Sequence, residues 1–474
     1  MLVTAAVVPA DVESVRPPPG LVLRRSAQAP EPGRLVEKVV CARAPAQSYA
    51  LYLPSGYARD RVWPILYAFD ARARGLVPVE RFRDAAERYG YIVAGSNNSR
   101  NGPVAIADEA LRAMLADTSA RFSIDTRRLY FTGFSGGARV AVLAALAVGD
   151  RAAGVIGCAG GFPIGLQPSA GVPFAYFGTA GVDDFNYAEM RQLDETLAKL
   201  GIRHRLEVFD GGHAWLSPEI GMRAIEWMEI QAIQAKIRPT DDSLIDRILA
   251  RASGEAAAEE QAGRAPEAWR RYSALASMVA GLREVESYER KARELAASRE
   301  VRSALAEEAD SMPRENAAQA RFARLVNEAL EGEDRVSGVM ELLRGVDQLR
   351  EQAKRPRNDG SRMAARRVLV SSWSWLTDEN ARDMEGGRPG RAAERLSLMA
   401  RIRPDDASVD YHRARALALT GRTGAVIDAL RSAVKKGFDD TAAIEAEPAF
   451  AAMRAEPGFQ EIVAALRKKP PAGP

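Results

Sequence analysis

From residue 35 the chain alternates two hydrophobic rhythms. Short apolar runs fall at 35–41, 48–53, 63–69, 91–96, 129–132, 153–158, 174–178 and 204–209. Between most of them lie longer stretches in which apolar residues recur every three or four positions, at 79–89, 105–122, 138–147, 187–200 and 218–236. The first rhythm predicts strands and the second helices. Residues 35–41 and 48–53 read as a hairpin at a sheet edge, closed off by the turn Pro54-Ser55-Gly56-Tyr57. The run at 63–69 is apolar almost throughout, as in a strand covered on both faces. Strands alternating with helices predict an α/β class: a mostly parallel sheet with right-handed crossovers, flanked by helices.

The strand rhythm stops near Arg238-Pro239-Thr240-Asp241-Asp242, and residues 239–474 carry only helical periodicity, rich in Ala, Arg, Glu and Leu. Near the end the chain repeats itself. Gly387-Arg388-Pro389-Gly390 recurs as Gly421-Arg422-Thr423-Gly424, an interval of 34 residues, and Pro404-Asp405-Asp406 recurs as Phe438-Asp439-Asp440. Leu396 and Leu430 also match. Paired helices at this period resemble tetratricopeptide repeats. The first helix falls around Tyr411–Ala416 and the second at 426–435, the pattern is clearest over 387–440, and a degenerate unit surrounds Trp269 and Tyr272 at 263–297. Residues 300–380 show no phase. The expected layout is a lead-in at 1–34, an α/β domain at 35–238 and an all-α helical-repeat domain at 239–474.

Composition narrows the classes. With 474 residues the chain holds two or three domains, and 47% hydrophobic residues allow a large core. A net charge of +3 gives no reason to expect nucleic acid or an anionic membrane as partner. The two cysteines, Cys41 and Cys158, sit in apolar runs and set neither a disulfide framework nor a metal site. No run reaches the length of a membrane span. Met1–Ala10 is short, apolar and free of a basic n-region; it reads either as the remnant of a secretory signal or as a plain terminus. The compartment therefore stays open between cytoplasmic and exported. The prolines at 17–19, 30 and 32 make the lead-in loose.

The chemistry starts at Gly133-Phe134-Ser135-Gly136-Gly137, which fits G-x-S-x-G between an apolar strand and an Ala-rich helix. That is the nucleophile elbow of an α/β-hydrolase, with the Ser135 hydroxyl at the tip and the Gly136 N–H aimed at a developing oxyanion. A serine needs a base. Of three histidines, His213 lies in Gly211-Gly212-His213-Ala214-Trp215 after the last strand, where this fold carries its base. His204 reads as solvated and His412 as a packing residue of the helical tail. The acid should follow the strand between serine and histidine. Asp183 and Asp184 both do; Asp184 opens Asp-Phe-Asn-Tyr and is preferred, leaving Asp183 to cap the next helix.

Taken with Tyr52-Leu53-Pro54-Ser55-Gly56-Tyr57, these residues make 35–235 resemble the carboxylesterase branch of the α/β-hydrolases that includes feruloyl esterases and polyhydroxybutyrate depolymerases. The resemblance implies ester cleavage through an acyl-enzyme, with no metal and no cofactor. One departure stands out. Such enzymes often end the third strand with His-Gly, whereas this chain has Phe69-Asp70-Ala71-Arg72. A backbone N–H of Ala71 or Arg72 can replace the second oxyanion donor. Asn97, Asn98 and Arg100 follow the strand beside the elbow and read first as a solvated Asn-rich turn, with substrate hydrogen bonds as the alternative; Phe134 and Trp215 either line the acyl or alcohol pocket or simply pack. The implied partners are a small-molecule ester and a protein held by the helical tail. Two further readings remain: a peptidase of the same fold, and a scaffold with a weak hydrolase domain.

Overall fold

A computed structural model describes residues 30–163, 165–355 and 360–468; most of the expected lead-in, residues 1–29, lies outside them. The runs become β1 (Leu35–Cys41), β2 (Ala44–Tyr52), β3 (Trp63–Phe69), β4 (Ile92–Ser96), β5 (Ile124–Phe134), β6 (Ala152–Cys158), β7 (Ala175–Gly181) and β8 (His204–Phe209). Between them lie α1 (Leu76–Tyr89), α2 (Val104–Arg121), α3 (Gly136–Val148) and α4 (Tyr187–Lys199), with α5 (Pro218–Gln234) after β8. The eight strands form one sheet in the order β1-β2-β4-β3-β5-β6-β7-β8. β1 and β2 are antiparallel, as is the β2–β4 pair, and every pair from β4 onward is parallel. This is the mostly parallel sheet flanked by helices that the hydrophobic rhythm predicts. β3, β6 and β7 are buried along their whole length, which explains their unbroken apolar runs.

The helices that follow are α6 (Asp242–Gln261), α7 (Ala265–Val279), α8 (Glu286–Ala296), α9 (Arg299–Glu331), α10 (Arg335–Ala353) and α11 (Gly360–Glu385). Then come α12 (Pro389–Ile402), α13 (Ala407–Ala418), α14 (Thr423–Lys435), α15 (Thr441–Ala446) and α16 (Pro457–Arg467). The sequence repeat is visible in where helices begin. α12 and α14 start after Gly387 and Gly421, both with positive φ (69° and 72°). α13 and α15 start on Asp406 and Asp440, whose carboxylates accept from Ser408 N–H and Ala443 N–H. Leu396 and Leu430 are both buried. Among the described residues no helix is long and apolar enough to cross a membrane.

The cores are not divided where the strand rhythm stops. α5 is buried on almost every side, from Ile220 to Ile233. One face of it covers the sheet at Ile156 and Phe177; Leu244, Ile245, Ile248, Tyr272, Leu275 and Met278 of α6 and α7 belong to the same apolar cluster. Its buried acids are matched. Glu226 pairs with Arg251 and accepts from Tyr89, while Glu229 pairs with Arg128 and Arg238. A separate apolar cluster begins at Phe322 and runs to Leu466. Cys41 and Cys158 are free and buried, and burial pushes the Cys158 thiol up to about 12.

Candidate active site

β5 and α3 meet at a single residue. Ser135 sits between Phe134 and Gly136 with φ 57° and ψ −120°, a sparsely populated region for a residue with a Cβ. The turn is tight enough to require its glycines: a Cβ on Gly133 would lie 2.0 Å from the Gly137 carbonyl oxygen, and one on Gly137 would lie 2.1 Å from that of Phe69. Ser135 N–H donates to the Cys158 carbonyl at 2.8 Å, fixing the elbow to β6. Ala73 and Ala159, after β3 and β6, also have positive φ (59° and 53°). Backbone strain thus gathers at the carboxyl ends of three neighbouring strands, where open α/β sheets bind ligands.

Two loops meet beside it. Val182 N–H donates to Phe209 O and Asp183 N–H to Gly211 O, each at 2.9 Å, so the segment after β7 and the glycine loop after β8 lie against each other. His213 Nδ1 then sits 2.9 Å from Asp184 Oδ1. Asp184 is fully buried, and its Oδ1 also accepts from Asn186 N–H at 2.8 Å. With a carboxylate as acceptor, Nδ1 carries the proton and leaves Nε2 as the free base. The imidazole is flanked by Phe134 and Phe185, with ring centroids 4.6 and 4.0 Å away. Phe134 precedes Ser135, so the ring that flanks the histidine belongs to the elbow.

Asp183 does something else. Its Oδ2 pairs with Arg366 of α11 at 2.9 Å, and Asn186 occupies the N-cap of α4. The expectation that Asp183 caps this helix is corrected. The acidic pair splits because successive side chains leave the backbone in different directions, one toward His213 and one toward the tail.

At the end of β3, where the resembling enzymes often carry His-Gly, Asp70 is fully buried. Asp70 accepts from Arg72 N–H (2.8 Å), Arg74 Nε and Nη2 (each 2.9 Å) and Trp215 Nε1 (2.7 Å). Burial pushes its carboxyl up, but the donors from Arg74, Trp215 and Arg72 outweigh burial and hold it below its ordinary value. The Arg72 N–H is therefore spent on Asp70, which corrects its expected place in an oxyanion hole. Ala71 remains: its nitrogen lies 3.4 Å from where a Gly137 Cβ would stand.

The asparagines are corrected as well. Asn97 Nδ2 donates to Glu37 O, and Asn98 bridges Ser48 N–H and Ala46 O. Both hold β1 and β2 to the sheet. Asn101, in the same loop, reaches the elbow instead: a Cβ on Gly136 would lie 1.9 Å from its Oδ1. The sequence alone does not tell which asparagine of this loop reaches Gly136. Trp215 is almost fully buried, its ring 5.7 Å from Phe134 and its Nε1–H donated to Asp70, so it packs beneath the elbow. His204 is not simply solvated; its Nδ1 lies 2.7 Å from Ile202 O and its Nε2 3.4 Å from Asp194. His412 is exposed on α13, which corrects its reading as a packing residue.

Scans against known protein families and curated proteins find no match. Among solved structures, S-formylglutathione hydrolase (FrmB) from Staphylococcus aureus is similar at 16% identity, covering 43% of this chain and 99% of its own, with a TM-score of 0.33. A ferulic acid esterase gives 16% identity, 41% and 95% coverage, and 0.33. Thermogutta terrifontis esterase 2 gives 15%, 46% and 100%, and 0.33.

Proposed function

We propose that the chain is a serine hydrolase that cleaves carboxylic esters. In this reading residues 35–238 are the catalytic unit and 239–474 a helical tail. The observation that carries it is the 2.9 Å Asp184–His213 hydrogen bond beside a positive-φ serine at a strand-to-helix elbow. His213 Nε2 takes the Ser135 proton as the hydroxyl attacks the ester carbonyl. Asp184 holds the tautomer and stabilises the imidazolium. The N–H groups of Gly136 and Ala71 receive the oxyanion, and His213 returns the proton to the departing alcohol. Water, activated by the same imidazole, then releases the acyl group.

The test is hydrolysis of p-nitrophenyl esters from acetate to octanoate. The wild type turns over, Ser135→Ala and His213→Ala lose about 10³-fold or more, and Asp184→Asn loses far more than Asp183→Asn. A wild type no faster than buffer across the series sinks the ester reading, and peptide amides then test the peptidase. A scaffold role draws on a separate observation, the 34-residue recurrence of helix starts after Gly387 and Gly421, which suits a tetratricopeptide-like surface that holds a protein partner.

A further inference from the structure

The acid loop is gripped from two sides. From the sheet side, Val182 N–H is hydrogen-bonded to the last carbonyl of β8 and Asp183 N–H to the glycine loop. From the tail, α9 and α11 close over the same residues. Arg367 Nη1 donates to Val182 O at 2.9 Å, and Arg367 Nε donates to Glu315 of α9 at 2.7 Å. The Arg367 guanidinium lies 4.4 Å over the Tyr187 ring. Arg366 pairs with Asp183, and Glu308 of α9 accepts from Tyr187 Oη and pairs with Arg191, each at 2.9 Å. The residues flanking Asp184 in the loop are thus pinned by groups far downstream in the chain.

The Arg367–Glu315 pair is almost wholly dry, with side chains 3% and 0% exposed. Burying two charges costs about as much as their attraction returns, so such a pair is poor value as stability alone. What it achieves is direction. Glu315 orients the guanidinium, and the fixed fork of the guanidinium delivers one N–H to the carbonyl two residues before Asp184.

We propose that Arg367, oriented by Glu315, is a positioning residue for Asp184, so that the helical tail completes the reaction centre. Through Val182 it fixes the acid loop, and through Asp184 the tautomer of His213 and the Phe185 ring against it. The kinetic consequence rests on the serine hydrolase reading; the structural one does not.

The full chain is compared with Arg367→Ala, Arg367→Lys and the paired variant Glu315→Leu with Arg367→Met. The pair swap removes the loop donor without leaving a lone buried charge, so a tail that folds only with charges matched still yields a measurement. The first readout is the downfield proton resonance of His213 Nδ1–H, assigned by its loss in His213→Ala. The second is turnover of p-nitrophenyl acetate. In Arg367→Ala and in the pair swap, the resonance shifts or broadens. Turnover falls about 10- to 100-fold with KM little changed, as a small misplacement of a reacting group produces. Arg367→Lys recovers part of both. Placed on Asp184→Asn, Arg367→Ala costs almost nothing more, because the residue it positions is already gone. An unchanged resonance, or an equal loss on the Asp184→Asn background, overturns the proposal. If the resonance responds while the wild type cleaves no ester, the positioning stands and the ester reading falls.

Discussion

At the scale of the residue, Asp70 shows how one buried carboxylate can tie two loops together. A buried carboxylate with four donors ties the end of β3 to Trp215, two residues beyond His213. It therefore links the Ala71 N–H to the histidine loop. In Asp70→Asn the amide keeps one acceptor and turns its NH₂ against the remaining donors, so stability falls by about 2–3 kcal/mol, read as a drop in the urea midpoint. The pH dependence has a definite sign. The folded carboxyl titrates below its unfolded value, so its stabilisation is present above about pH 4 and lost as the pH falls through the folded value. Wild-type stability should decline in acid more steeply than that of Asp70→Asn; parallel curves refute this account. The sequence exposed Ser135, His213 and the Asp183–Asp184 choice because each sits in a local motif. It hid the approach of Asn101 to Gly136 and the sheet-tying roles of Asn97 and Asn98, since these depend on partners distant in the chain: Ser48 lies 50 residues before Asn98 and Glu37 60 before Asn97.

At the scale of the element, strand-to-helix junctions do most of the positioning. The elbow works because Gly137 lets α3 approach the last carbonyl of β3. Gly137→Ala drives a methyl into the Phe69 oxygen and costs about 1–3 kcal/mol, with loss of ester turnover greater than the loss of folded protein at 25 °C. Equal losses would mean the elbow does not need this contact. The central strands were legible because burial on both faces writes a nearly unbroken apolar run. α9 and α11 were not. α9 carries Pro313 in its interior and buries Glu315; α11 buries Arg367 and Asp383. A charged residue on the hidden face interrupts the apolar stripe, which in α9 is continuous only over Phe322, Leu325, Val326, Ala329 and Leu330.

At the scale of the whole molecule, the helical tail is joined to the sheet by a shared core as well as by the acid loop. Leu244, Ile245, Ile248, Leu275, Met278 and Val279 pack in the same cluster as α5. Burying such side chains is worth about 1.5–3 kcal/mol each, together on the order of a domain's net stability. A chain ended at residue 238 should aggregate or unfold below 37 °C, whereas one ended after α11 keeps its near-ultraviolet dichroism. A soluble, cooperatively melting 1–238 fragment would show that the core divides at the boundary where the strand rhythm stops.

Arg367 lies about 150 residues beyond His213 in the chain. Translation proceeds at about 5–20 residues per second, so serine, acid and base all leave the ribosome roughly 10–30 s before the arginine that holds the acid loop. During that interval the nascent chain carries Ser135, Asp184 and His213, the reacting groups of the proposed function, and lacks the clamp from the tail. Order of synthesis thereby becomes a timer: on the proposed reading, the reacting groups are made before the helices that grip their loop.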